Sequence, residues 1–248
     1  MKIVTGHQPV YLPWLGLIHK ASLSDVFIYM DDVQYLVRDW NNRNLVKTAQ
    51  GKPIWLTVPV DLKHSPSHTL KDILIASDHG PLHKTWHYKH WMTLKTLYAR
   101  APYFKDYAPF FEWLYLEKKW ERLDDLNLTL LKKIFEWFRL DTQIVVASEV
   151  GFTGVKSDLV LEHGVRYNAD IVLTGMYGKD YIDVQKFENR GIKVVFQDYN
   201  HPIYEQRVPG EFFHLSFVDL LFIYGPQSRD ICFSNNITRE DLCRMTAV

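Results

Sequence analysis

The chain has 248 residues, 47% of them hydrophobic and 15% aromatic, which is ample apolar material for a substantial core. Lys+Arg and Asp+Glu balance at 29 each, so no global field draws the chain to nucleic acid or to an anionic membrane, and any polyanion contact must come from a local patch. The two cysteines, Cys232 and Cys243, lie near the C-terminus without metal-ligand spacing, which argues against a disulfide framework or a structural zinc.

No basic-then-apolar leader opens the sequence, and no apolar run approaches the roughly 20 residues of a membrane span. A reducing, cytoplasmic setting without a membrane anchor is therefore expected. Several of the eleven histidines fall between His64 and His90, a surface expected to gain charge as pH drops through about 6.5.

Taken in chain order, Lys2 to Thr5 and Val26 to Met30 read as β-branched strands, with a helix between Leu15 and Ser24. That is a βαβ unit, and its link is "GHQPVYLPW". In an open parallel sheet ligands bind beyond the carboxyl ends of the strands, so this link and "DDVQY" after the second strand are expected on one functional edge. "WLTVPV" reads as a third strand, followed by a surface loop and a short strand at Ile73 to Ala76. From Pro81 to Leu140 the apolar spacing becomes helical, enough for about three helices. The last third alternates again: "TQIVVAS", a helix around Ser157 to Tyr167, "ADIVLTG", "DVQKFENRG" ending on Gly191, "KVVFQDY", and a closing helix from about Ser216 to Ile223. The expectation is an α/β fold with a mostly parallel sheet, flanking helices and a helical insertion at approximately 81–140, all in a single domain over 1–248.

Pro9 and Pro13 fix φ and make the first link stiff, so His7 and Gln8 can aim polar heads at a ligand while Tyr11 and Trp14 supply flat faces for a ring. A buried aromatic loop capping the sheet is the competing reading. The adjacent Asp31 and Asp32 point to opposite faces if the strand continues, so at most one of them faces the site; a cap or turn role is the alternative. Gln34 follows as a polar candidate. "RDWNNRNLVKT" interleaves Arg38, Arg43 and Lys47 with Trp40 and asparagines including Asn41, a mixture suited to phosphates and base edges, or to an ordinary solvated loop. "LTGMYGKDYID" has two glycines that allow close backbone approach, with Lys179, Tyr181 and Asp183 as ligand contacts, unless it is a plain turn. Lys156 stands at a helix start that favours an anion, and Lys20, Lys84 and Lys89 complete the phosphate candidates.

The runs "HQPVYLPWLGLIHK", "DDVQ", "NRNLVKT", "WLTVPV", "PYF", "TGMYGKDYID", "FQDYNHPIYEQ" and "LSFVDLLFIYG" together resemble the WbqC-like family along nearly the whole chain. Many members of that family are associated with surface-polysaccharide assembly. Its virus-encoded branch resembles this chain as well and consists of amino acid:DNA transferases of thymidine hypermodification. That resemblance implies a (pyro)phosphorylated 5-hydroxymethyluracil in double-stranded DNA, whose phosphate leaves as an amino acid amine, typically glycine, bonds to the methylene. On this reading His7, Gln8, Asp31 and Lys179 carry the chemistry, with His7 relieving the amine of its proton. Tyr11 and Trp14 stack on an extruded base, Gln34, Tyr181 and Asp183 contact substrate, and Lys20, Arg38, Asn41, Arg43, Lys47, Lys84, Lys89 and Lys156 hold phosphates. No cofactor or protein metal is expected, although Mg2+ assistance stays open. Amine transfer to a nucleotide-activated sugar and a non-catalytic phospho-ligand module are the alternatives.

Overall fold

The computed structural model describes residues 1–78 and 80–246, so His79 of the histidine-rich stretch lies outside the described residues. Five strands, β1 (Ile3–His7), β2 (Val26–Tyr29), β5 (Gln143–Val146), β6 (Ile171–Gly175) and β7 (Lys193–Gln197), pair in parallel in the order β5-β2-β1-β6-β7. Their near-continuous apolar runs suit a sheet covered on both faces. Alternation divides each strand: Val4, Ile28, Val145 and Val172 pack on one face with Phe187, while Ile3, Phe27, Tyr29, Ile171 and Leu173 pack on the other.

The central strand sets the site. From β1 the chain passes through α1 (Leu15–Ser22) to β2 on one side, and β6 joins on the other side of β1 after α6 (Ser157–Arg166). Helices α1 and α6 cover opposite faces, because a right-handed crossover run in the opposite direction along the sheet must use the other face. The topological switch point, beyond which an open sheet of this kind forms its crevice, therefore lies between the ends of β1 and β6, at His7 and Gly175.

The expected helical region contains α2 (Trp86–Tyr98), α3 (Phe104–Glu112), continued by a π turn at Trp113–Glu117, and α4 (Leu123–Trp137). Its aromatic faces pack with α1 and with α8 (Phe217–Tyr224) into the largest core cluster, which includes Tyr98, Phe111, Leu130 and Phe222. Thr85 and Ser216 cap α2 and α8 by accepting from Tyr88 N and Val218 N. Two short helices, α5 (Ala147–Val150) and α7 (Val184–Glu188), follow β5 and precede β7; Gly191, at φ 70°, turns the chain into β7.

Three expectations need correction. "NRNLVKT" is a strand, β3 (Arg43–Lys47), paired antiparallel with β4 (Pro53–Thr57) in a separate hairpin, so "WLTVPV" does not join the main sheet. Ile73 to Ala76 makes isolated bridges rather than a strand, Leu74 with Arg122 and Ile75 with Val60, each held by two backbone bonds. The helix over 217–224 does not close the body: α9 (Ser228–Phe233) and α10 (Arg239–Thr246) follow, α9 packing on α1 and Leu242 of α10 filling the core beside Ile3.

Candidate functional site

The crevice is built from side chains on both faces of β1. On the α1 face, His7 is half-buried at the strand end, and its Nδ1 lies 2.8 Å from the backbone carbonyl of Gln8. A carbonyl only accepts, so Nδ1 carries the proton and Nε2 keeps a bare lone pair. Burial and the neighbouring charge of Lys20 lower the His7 pKa to about 3, which keeps the ring neutral. The ring is braced edge-on by Trp14, with centroids 5.4 Å apart. Lys20 extends from α1 until its Nζ donates to the Gly6 carbonyl at 3.0 Å; burial lowers its pKa to about 7.

On the α6 face, Gly6 keeps β1 close to the helix: a Cβ there would stand 3.0 Å from Met30 Sδ and 3.3 Å from His163 Nδ1. His163 is buried with neither ring nitrogen bonded among the described residues, and burial pushes its pKa down to about 4. A buried imidazole with both nitrogens unsatisfied beneath a switch-point crevice is set to bond a ligand. Sequence reasoning missed it. The only signal was a polar residue on the otherwise apolar inner face of "LVLEHGV". Asp32 lies on this side too; burial and the adjacent Asp31 charge raise its pKa, and its Oδ1 has no partner.

The mouth is formed by two loops. After β6, the turn over 176–181 exposes Met176, Tyr177, Lys179 and Tyr181; Gly178 is needed because a Cβ there would meet Thr174 Oγ1 at 2.7 Å. Before α6, Val155 and Lys156 are exposed, with Lys156 at φ 52° and ψ −119°, a conformation disfavoured for a side chain with a Cβ. The loops are tied together by Asp183, whose backbone N–H donates to Ser157 Oγ at 3.0 Å. Lys156 and Lys179 make no ion pair among the described residues.

Several expected site residues prove to be structural. Tyr11 is fully buried, its hydroxyl bonded to His90 Nδ1 at 2.8 Å and to Tyr115, so it offers no face to a base. Asp31, not Asp32, is the carboxylate turned inward: it accepts from Ser148 N at 2.8 Å and from Ser148 Oγ, bolting β2 to α5. Asn41 is buried and donates to the Pro9 carbonyl at 2.8 Å, which stiffens the first link. Lys47 is buried too, donating to Val208 O, Glu211 O and Gln206 Oε1 at 2.8, 2.7 and 3.3 Å. All three of its N–H bonds are used, which removes it from the phosphate contacts. Lys20 is likewise too buried to reach a DNA backbone.

Other expected residues stand away from the crevice. Arg43 donates to the Arg38 carbonyl and lies 4.2 Å over the Trp55 ring, ending an aromatic series that runs through Trp40 to Trp14. Arg38, at φ 67°, and Gln34 are exposed on the loop after β2. Lys84 is exposed just before α2 and Lys89 on it, where Lys89 lines an open cleft of about 520 Å³ between that helix and the β3–β4 turn. Within the histidine-rich stretch, His64 and His87 pair with Asp61 and Asp78, and His90 is buried with its pKa near 3. No three His, Cys, Asp or Glu side chains among the described residues converge to hold a metal ion, and no helix among them is long and apolar enough to cross a membrane.

The fold is a parallel α/β sheet with polar and aromatic side chains gathered at its switch point, the edge where open sheets of this kind bind their ligands. The chain belongs to the WbqC-like protein family, whose profile matches residues 8–231. It is also similar to an uncharacterized protein of Mycobacterium tuberculosis, 31% identical over 231 residues, covering 93% of this chain and 97% of that protein. No solved structure matches it. Membership of this family is compatible with a transferase.

Proposed function

We propose that the protein is a cytoplasmic transferase that joins an amino acid amine, glycine in the first instance, to a methylene activated by phosphate or pyrophosphate, at the β1–β6 crevice. The acceptor in this reading is (pyro)phosphorylated 5-hydroxymethyluracil in duplex DNA. A C–N bond forms from the amine lone pair as the C–O bond breaks, its electron pair leaving with the phosphate. The observation that carries the reading is the His7 imidazole, held neutral with a bare Nε2 pointing away from the Gln8 carbonyl. Such a nitrogen accepts an N–H bond and aims the amine lone pair at the carbon. With its pKa near 3, it is not the group that removes the proton from an ammonium near neutral pH, which revises the role expected for it.

The other supports are electrostatic and steric. Lys156 and Lys179 are exposed on the loops before α6 and after β6 and have no acidic partner among the described residues, so both charges are free to meet a departing phosphate. Trp14, Tyr177 and Tyr181 offer ring faces to an extruded pyrimidine. A single-turnover assay with labelled glycine and phosphorylated 5-hydroxymethyluracil DNA tests the reading; label in the base supports it, and binding without label points to a phospho-ligand module.

The zero net charge favours a second reading, a nucleotide-activated sugar as the acceptor of the same amine. Two lysines suffice for one diphosphate, whereas duplex DNA usually meets a broader basic surface. Labelled product from the sugar nucleotide and none from DNA would select it.

A further inference from the structure

The transfer reading leaves one step without a residue: an amino acid amine arrives as an ammonium and must lose a proton before it attacks. Lys20 is suited to that step by position. It is 4% exposed, and among the described residues its Nζ makes a single bond, to the Gly6 carbonyl at 3.0 Å, at the strand end that carries His7. A structural ammonium this deep would be expected to hold a carboxylate or several carbonyls, as Lys47 does.

No carboxylate among the described residues lies within ion-pair distance of Lys20. The titratable groups on the neighbouring elements are otherwise engaged. His7 of β1 is neutral and feels the Lys20 charge; His19 of α1 turns to Gln197 and the Ile237 carbonyl. Tyr199, after β7, donates to the Cys232 carbonyl of α9; Asp31, after β2, is held by Ser148. Asp25 sits at the opposite end of the sheet against Arg239. Lys20 thus has lone-pair or proton capacity that the fold does not use.

We propose that Lys20 is the proton acceptor of the reaction: its neutral amine takes a proton from the incoming ammonium. This rests on the amine-transfer reading. One proton moves from substrate nitrogen to Nζ, the C–N bond forms, the C–O bond pair departs on phosphate, and the product's second proton and that of Lys20 return to phosphate and solvent. Desolvation lowers the Lys20 pKa to about 7, so the neutral form is well populated at working pH. Arginine in its place keeps the charge but is never neutral.

The test combines two measurements on the full chain. Lysine 13Cε and 15Nζ NMR, with the Lys20 signal assigned by its loss in Lys20→Arg, follows protonation directly and needs no substrate. Rates of glycine transfer to phosphorylated 5-hydroxymethyluracil DNA and to a nucleotide-activated sugar, from pH 5.5 to 9, supply the second. Expected are a Lys20 midpoint near neutral, an acid limb of kcat/KM with the same midpoint, and at least about a 100-fold loss in kcat with no such limb in Lys20→Arg. Wild-type transfer with a Lys20 midpoint above pH 9, or an unchanged acid limb in Lys20→Arg, overturns the Lys20 role alone. Absence of wild-type transfer to either acceptor, whatever the NMR midpoint, overturns the amine-transfer reading and this proposal with it.

Discussion

The indole of Trp14 meets the imidazole of His7 edge to face, at 73° between planes, and leans in turn on Trp40, whose ring centroid is 5.8 Å away. Trp40 packs at a tilt of 51° against Trp55, which lies under the Arg43 guanidinium. The proline-stiffened link therefore holds its catalytic candidate from the side, as well as through the Gln8 carbonyl. Trp14→Ala is expected to cost about 2 kcal/mol of stability, less than a fully buried tryptophan, and to lower kcat about tenfold or more as His7 loses its orientation. If Trp14 also stacks on an extruded base, the rate loss is larger on a paired modified base than on a mispaired one. Measuring both rates beside the melting curve checks this, and equal losses would confine Trp14 to bracing His7.

The lysines separate into two kinds, and substitution distinguishes them. Lys47→Met strands three acceptors in the interior and is expected to destabilise by about 3 kcal/mol, with the salt dependence of DNA binding unchanged. Lys156→Ala and Lys179→Ala are exposed changes worth within about 0.5 kcal/mol, but each should reduce the slope of log K against log salt by about one contact. A flatter slope in Lys47→Met with an intact fold would return Lys47 to the phosphate contacts.

Acid stability follows from the buried histidines. Burial lowers the pKa of His7 and His90 to about 3, and of His19, His163 and His201 to about 4. Their unfolded values are near 6.5, so between about pH 6.5 and 4 the unfolded chain binds more protons than the folded one. Stability from these groups is complete above about pH 6.5 and falls steadily as pH drops through that window. Asp124 and Asp219 work in the opposite sense: burial raises their pKa values to about 7 and about 6, so they cost stability as pH rises from about 4 through those values, and burial raises Asp32 as well. With five histidines against three carboxyls, the melting temperature should fall on acidification below pH 6; a rise would show that these imidazoles have partners in solution.

His163→Phe probes the α6 side of the crevice. Removing two unsatisfied buried nitrogens is expected to leave stability unchanged or raise it by about 1 kcal/mol, and to raise KM if the ring bonds substrate. A destabilised variant with unaltered KM would make His163 a packing residue bridged by internal water.

How much of this was legible in the sequence depended on the range of the interactions involved. The βαβ opening, the α4 stripe and the returning strands were readable because period-2 and period-3.6 patterns are local. The β3–β4 hairpin was not, since "RDWNNRNLVKT" is polar along the strand and gains its order from Asn42 and Asn44 bonding to Val58, Leu12 and Tyr11 carbonyls. The stiffness of the first link was readable from its two prolines, and Asn41 reinforces it by donating to the Pro9 carbonyl. Within it, however, Tyr11 and Trp14 look alike in sequence; only contacts 79 and 104 positions away, to His90 and Tyr115, assign Tyr11 to the core. The same blindness hid Lys47 behind a phosphate-like motif and left His163 unnoticed, because burial of a polar side chain is decided by partners remote in the chain.

The account stands most directly on His7. Purified wild-type protein and His7→Ala are given labelled glycine and phosphorylated 5-hydroxymethyluracil DNA, with a nucleotide-activated sugar in parallel, and label in the product is followed through a single turnover. The predicted result is transfer by the wild type and at least a 100-fold slower rate in His7→Ala, roughly the effect of misplacing one reacting group, with melting temperature preserved. Equal transfer by wild type and a fully folded His7→Ala, or none by the wild type to either acceptor, would contradict it.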